Sequence, residues 1–269
     1  MKEIALQKAR QPGHHKLNTL REYLQNYILF LMQKVGMSAC LYFVGGTALR
    51  FLYQLRRYSE DLDFSKGEDW ASRDFSIYMK KIARQLEKSG YNFSLKLKED
   101  QTIQKASIGF SDLLYELELT HRSEQKLSIH IEVDANPPGG WSSEKTIVNL
   151  HLPVLLQHYD LPSLFAGKLD AVLSRQYTKG RDIYDLFWYL TKWKHLKPNF
   201  VQLNNAVRQK QKDFPGIHED NWLKMLADRV QSIKWTQVEK DILPFLESRD
   251  DLFTFTKDNL LLLLQKDSR

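Results

Sequence analysis

Residues 43–65 read FVGGTALRFLYQLRRYSEDLDFS. Phe43 and Val44 close a short apolar run, Leu41 to Val44, that predicts a strand. It stops at Gly45-Gly46-Thr47, and residues 48–57 then predict a helix with Leu49, Leu52 and Tyr53 turned inward. Glycines let a backbone pass close to a ligand, and the free N–H groups of a helix start attract phosphate. Residues 60–65, EDLDFS, alternate polar and apolar as a half-buried strand does. The two-residue period of a strand puts Asp61 and Asp63 on one side and Leu62 in the core. Carboxylates that close repel, which raises one pKa unless a cation lies between them. Magnesium suits the position, because it takes hard oxygen ligands and shares them with substrate phosphates. A D-x-D on a solvated strand face is common, and so is a lone Gly-Gly-Thr. The two in this order, in a strand–helix–strand setting, point to phosphoryl chemistry more firmly than either alone.

Outward from this stretch, residues 1–18 are polar and predict an irregular lead-in, with His14 and His15 an exposed pair. Residues 19–36 place Leu20, Tyr23, Leu24, Tyr27, Ile28, Leu31 and Met32 at helical spacing. Residues 72–89 predict a second amphipathic helix, closed by Gly90. Residues 91–98, 104–110, 115–120 and 127–134 follow as predicted strands, and from about 153 the pattern is helical with short Pro or Gly breaks. The turn-rich cluster Asn136-Pro137-Pro138-Gly139-Gly140 marks the boundary. The expected organisation is therefore α+β over residues 1–136 and a helical C-terminal portion over 137–269.

The bulk composition is ordinary for a folded globular protein. The chain has 269 residues, 42% hydrophobic and 27% charged, enough for a sizeable core. Its 39 Lys and Arg against 33 Asp and Glu give a formal charge of +6, which favours polyanionic partners. The single cysteine, Cys40, allows no internal disulfide and reads as a small buried apolar group in a reducing compartment. The N-terminal stretch has no apolar core of signal-peptide length, and Leu260 to Leu264 is too short to span a bilayer, so a cytoplasmic protein without membrane association is expected. That leucine run is apolar around a whole helix and predicts burial or a partner contact.

The segment 45–65 resembles the signature of the DNA polymerase β-type nucleotidyltransferase superfamily, a G-[GS] turn followed by a D-x-D pair. It is more closely similar to the AbiEii/AbiGii-type nucleotidyltransferase toxin family, in which G-G-T-A-L precedes an Arg and a Ser just before D-L-D-F. Arg57, Ser59, Asp61, Leu62, Asp63 and Phe64 fill those places here. The resemblance spans roughly residues 40–190 and implies a mixed sheet of polymerase β type with flanking helices. It also implies that Gly45, Gly46, Thr47 and Ser59 cradle a nucleoside triphosphate, while Asp61 and Asp63 hold magnesium.

The resemblance also implies a third carboxylate from a later strand of the same sheet. In residues 128–134, His130, Glu132 and Asp134 share one face and Ile129, Ile131 and Val133 the other. Glu132 fits the family position best, with Asp134 as its rival; His130 reads as a surface or supporting contact. Residues 161–190, LPSLFAGKLDAVLSRQYTKGRDIYDLFWYL, resemble the family's later motifs. By that match Lys168 contacts the nucleotide phosphates and Asp182 lies in or beside the active site. Lys168 sits in an otherwise apolar stretch, so its charge needs a reason. Arg181 and Asp185 are spaced to meet on one helix face, as are Asp182 and Asp185. Tyr184 could offer a hydroxyl or a ring to a base, and could equally be a core aromatic.

Residues 192–212 interleave Lys192, Lys194, Lys197, Arg208, Lys210 and Lys212 with Trp193, His195 and Phe200. This pattern can grip RNA or simply face water. The expected function is a magnesium-dependent transfer of a nucleoside monophosphate from a triphosphate to tRNA or protein. The family further implies a toxin of a toxin–antitoxin or phage-defence pair, with a cognate antitoxin as partner. The alternative is a non-catalytic nucleotide-binding regulatory or antitoxin-like module.

Overall fold

A computed structural model describes residues 1–11, 15–99 and 102–266. Pro12, Gly13 and His14, including one half of the histidine pair, lie outside the described residues. The chain divides into two compact units. The first comprises Met1–Gln54, Tyr58–Pro137 and Ser143–His158; the second takes Leu55–Arg57, Pro138–Ser142 and the chain from Tyr159 onward.

In the first unit, α1 (Lys2–Ala9) packs on α2 (Lys16–Lys34). The lead-in is thus helical rather than irregular. Ala5, Leu6 and Ala9 fall on one side of a helical turn and are fully buried, which outweighs the polar remainder. The sheet is built from β1 (Leu41–Val44), β2 (Asp61–Lys66), β3 (Phe93–Glu99), β4 (Ile103–Phe110), β5 (Leu127–Asp134), β6 (Ser143–Asn149) and β7 (Pro153–Tyr159). Helices α3 (Gly45–Tyr53), α4 (Asp74–Lys88) and the short α5 (Leu113–Glu116) connect the earlier strands. The seven strands run in the order β3-β4-β5-β2-β1-β7-β6. The sheet is mixed: β1 pairs antiparallel with β2 and parallel with β7, β2 parallel with β5, and β3, β4 and β5 antiparallel in succession. Helix α2 packs against both α4 and β5.

Two sequence expectations fail here. Residues 115–120 form no strand. Leu113, Leu114 and Leu117 are buried at helical spacing while Tyr115 stays exposed, so the apolar period is that of a helical turn. Residues 153–159 are a strand, not the start of the helical portion. Val154, Leu156 and His158 are buried while Leu155 faces outward, a two-residue period obscured because Leu155 is also apolar.

The second unit is helical: α6 (Leu161–Ser174), α7 (Gly180–Lys192), α8 (Phe200–Lys210), α9 (Trp222–Ser232), α10 (Trp235–Ile242), α11 (Asp251–Thr254) and α12 (Lys257–Lys266). Asp160 caps α6 by accepting from the Ser163 N–H at 2.9 Å, with proline at the start of the helix. Helix α6 packs on α7, α8 and α9, and α7 on α10 and α12. Phe165 stacks on Tyr189 with ring centroids 4.3 Å apart, and its edge meets Trp222. Gly180 opens α7 where a Cβ would lie 2.4 Å from the Val238 carbonyl oxygen, so only glycine lets α10 approach this closely. In α12, Leu260 and Leu264 are buried while Leu262 is half exposed; the leucine run has one inward face rather than burial all round. No helix among the described residues is long and apolar enough to cross a membrane.

Candidate active site

The carboxylates of the first unit are gathered by sheet register. Asp61 and Asp63 flank the fully buried Leu62 on β2, both half-buried. The parallel neighbour β5 sets His130 beside Asp61, Glu132 beside Asp63 and Asp134 beside Ser65. Residues in register on parallel strands share a face, so Asp61, Asp63, Glu132 and Asp134 all belong to one side of the sheet. On the other flank of β2, Val44 pairs with Asp63 at the end of β1, and α3 begins at the next residue. Gly45 has φ +80°, a left-handed backbone that favours glycine. A Cβ there would lie 2.3 Å from the Asp63 Oδ2. The Asp63 carboxylate therefore rests directly against the backbone that opens α3. Thr47 is fully buried and its hydroxyl donates to the Asp61 carbonyl oxygen, fixing the helix start to the strand. Ser59, also buried, accepts from the Gln25 side chain through its carbonyl oxygen at 3.1 Å.

The donor set can be tested against magnesium. Glu132 accepts from Lys105 of the neighbouring β4 at 2.8 Å. Asp134 accepts from the Asn136 backbone N–H at 2.8 Å; burial pushes its carboxyl above the ordinary value, against the opposing pull of that hydrogen bond and of Lys66. Among the described residues, no three His, Cys, Asp or Glu side chains converge on one metal-sized point. Two half-buried carboxylates on one face, beside a helix start opened by glycine, still suit magnesium. That ion is commonly held by one or two carboxylates with substrate phosphates completing its shell.

The second unit carries a buried charge network. Arg57 and Asp185, 2% and 0% exposed, form a bidentate pair at 2.6 Å through both guanidinium contacts. The Lys168 ammonium lies 2.8 Å from Asp185 and 3.1 Å from Asp182, and Asp182 also pairs with Arg175. Desolvation opposes the charged forms of Arg57, Lys168 and Asp182, but the neighbours win. Asp185 and Asp182 hold the Lys168 ammonium above its usual pKa, Asp185 does the same for Arg57, and Lys168 and Arg175 hold Asp182 below the usual carboxylate range. Asp185 thus finds its arginine 128 residues away rather than at Arg181, which instead lies over the Phe245 ring at 4.4 Å. Tyr184 is a core residue: it is buried, donates to Asp251 at 2.9 Å, and burial raises its pKa.

The comparisons with known proteins bear on both halves. Residues 27–255 match the model of the family described as the nucleotidyl transferase AbiEii toxin of type IV toxin–antitoxin systems. The chain belongs to the AbiEii family. It is therefore a nucleotidyltransferase of the toxin–antitoxin class. A candidate nucleotidyltransferase from H. pylori has a TM-score of 0.55 at 15% identity, with 92% of this chain and 93% of that one covered. JHP933 from Helicobacter pylori gives 0.54 at 15% identity, covering 93% and 90%. At that identity the likeness is one of fold. A search of curated proteins returns no match.

Within this AbiEii-family chain, sequence reasoning missed Arg175 and Lys105. Arg175 lay inside the stretch 161–190 without a helical partner to single it out. Lys105 meets Glu132 only because β4 and β5 pair in that register. Cys40 is half-buried rather than buried, its thiol pushed up by burial and then by Asp69 and Asp74. Lys197 and Lys210 of the basic C-terminal stretch pair with Glu219 and Asp170, and Lys192 lies over the Trp188 and Trp193 rings.

Proposed function

We propose that the chain transfers a nucleoside monophosphate from a nucleoside triphosphate to an acceptor hydroxyl on RNA, with tRNA the expected form, or on protein. The observation that carries this reading is the Asp63 carboxylate against the Gly45 backbone, with Asp61 two residues earlier on the same face. A helix start that attracts phosphate lies beside carboxylates that attract magnesium, which is what a bound triphosphate requires. Gly45 and Gly46 offer backbone N–H groups to the phosphates. Thr47 ties that backbone to β2 from a buried position, and Ser59 is the further residue the family resemblance gives to the cradle. Asp61 and Asp63, with Glu132 preferred over Asp134 as third carboxylate, would hold the magnesium. When bound, the metal would neutralise phosphate charge and stabilise the oxygens of an in-line displacement.

The portion up to 136 supplies these carboxylates; in 137–269 the family resemblance gives Lys168 a role toward nucleotide phosphate, with Asp182 3.1 Å from its ammonium. In the transfer, the acceptor oxygen bonds to the α-phosphorus, the bond to the bridging oxygen breaks, pyrophosphate leaves, and the hydroxyl proton passes to solvent. The family and the lone thiol support a cognate antitoxin as partner, a role in phage defence and a cytoplasmic setting. The test is incubation with each α-labelled triphosphate and total cell extract, with magnesium and with chelator. Pyrophosphate release coupled to labelled RNA or protein, abolished by chelator, is expected. Triphosphate binding without any pyrophosphate release would overturn the reading.

A further inference from the structure

Helix α4 divides its residues sharply between core and solvent. Phe75, Met79, Ile82 and Leu86 are fully buried, while Lys80, Lys81, Arg84 and Lys88 are exposed, with Arg73 exposed just before the first turn. Lys34, exposed at the end of α2, joins them by donating to the Gln85 side chain of α4 at 3.1 Å. The acids of the helix are Asp74 and Glu87, and Asp74 lies 3.9 Å from Arg73. Lys80, Arg84 and Lys88 follow at four-residue steps, so each stands about one turn, roughly 6 Å, from the next. Like charges at that spacing destabilise a helix. Among the described residues none of these three forms an ion pair that would offset the repulsion. Stability alone favours alternating signs on such a face; a row of unpaired cations is suited to a ligand that brings the opposite charge in a row.

The helix lies across the sheet from Asp61 and Asp63. Just before α4, the Trp70 indole N–H donates to the Gln104 side chain at 2.9 Å, and that side chain donates to the Ser72 carbonyl oxygen at 2.7 Å. Gln104 is buried on β4 opposite Val133, on the apolar side of the sheet, whereas the next residue, Lys105, reaches Glu132 on the carboxylate side. We propose that the outward face of α4, with Lys34, is a docking surface for the phosphate backbone of helical RNA, separate from the transfer site. The choice of RNA among polyanions rests on the transfer reading above; the surface itself does not. Duplex phosphates are spaced closely enough for Lys80, Arg84 and Lys88 to be engaged together along a track of about 12 Å. Such contacts carry no sequence information; they supply affinity and fix orientation. The formal charge of +6 adds long-range attraction. A lipid surface fits less well, because helices that lie in a membrane interface bury their apolar face in lipid, and that of α4 is already in the protein core.

The test compares the full-length parent with the triple variant Lys80→Glu, Arg84→Glu, Lys88→Glu. A charge-matched control carries Lys224→Glu, Lys234→Glu and Lys240→Glu, which are exposed in the second unit. The probes are a short RNA duplex of arbitrary sequence, without triphosphate and over a range of salt, and vesicles of anionic lipid. The α4 variant should raise the Kd for the duplex about tenfold or more and reduce the slope of log K against log salt by about two to three, one contact contributing about 0.9. The control should leave the slope nearly unchanged. Thermal unfolding checks that each variant is folded; should the triple variant unfold, Arg84→Gln alone should lower the slope by about one. An unchanged Kd, an equal loss in the control, or a parent that binds the vesicles and not the RNA overturns the surface. A parent that binds RNA through α4 yet releases no pyrophosphate with any triphosphate overturns instead the transfer reading and leaves the surface standing.

Discussion

The two units handle charge in opposite ways. On the sheet of the first, register brings like charges together: Asp61, Asp63, Glu132 and Asp134 lie on one face of two adjacent strands. In the second, Arg57, Lys168 and Arg175 alternate with Asp182 and Asp185, and the pairs close on each other away from solvent. Gathered like charges repel, eased where Lys105 meets Glu132, whereas matched buried charges stabilise one another only while every member is present. The first arrangement is what a ligand site needs. The second ties distant parts of the chain together, since Leu55–Arg57 leaves α3 and is bound into the helical unit before β2 begins.

The largest effect should come from breaking the matched network. Asp185→Asn leaves Arg57 and Lys168 buried without their shared carboxylate and should destabilise the helical unit by about 3–5 kcal/mol. Denaturant unfolding followed by tryptophan fluorescence would register it, because five of the six tryptophans, Trp70 excepted, lie in that unit. A loss below about 1 kcal/mol would mean that the network is not structural.

The units should also differ in pH response. His151, in the first unit, has neither ring nitrogen hydrogen-bonded among the described residues and lies 4.0 Å from Glu22. Burial first, then Lys8, lowers its pKa from 6.5 to about 4. Between those values the unfolded chain binds the proton and the folded chain does not, so stability falls as pH drops from 6.5 toward 4, by up to about 3 kcal/mol. His151→Phe should flatten that slope. The second unit should show no such slope in this window. Asp182, lowered, contributes above the ordinary carboxylate pKa and loses its contribution only as pH falls below it. Lys168, raised, contributes below the ordinary lysine pKa and loses its contribution only as pH rises above it. Chemical denaturation across pH 4–8 for the parent and His151→Phe decides the point, and equal slopes would refute it.

Asp63→Asn sharpens the contrast from the other side. Transfer should fall on the order of a hundredfold or more, because a charge that positions metal and phosphate is gone. Apo stability should stay within about 1 kcal/mol, since repulsion from neighbouring carboxylates is relieved. Pyrophosphate release and metal-free thermal unfolding measure the two sides; a variant that transfers at the parental rate would remove Asp63 from the site. Gly45→Ala should cost about 1–2 kcal/mol of stability through left-handed strain. Its new Cβ also meets Asp63, so activity should fall by more than stability accounts for. Equal losses in both would place Gly45 outside the phosphate site.

Much of the nucleotidyltransferase half was legible because it is local. The strand–Gly-Gly–helix–strand order and the shared face of Asp61 and Asp63 depend only on strand period and on glycine's tolerance of positive φ, both written in residues 43–65. The apolar spacing of α2 and α4 was legible for the same reason. The α5 and β7 segments misled because Leu117 and Leu155 are apolar at positions where two periods compete, and only packing decides which face is buried. Three features needed the tertiary structure: Glu132 beside Asp63, Arg57 on Asp185, and Lys34 brought to the basic face of α4 through Gln85. Each joins residues distant in sequence. A pairing register or a buried ion pair is chosen by the whole core, whereas a turn or an alternating strand is chosen by its own few residues.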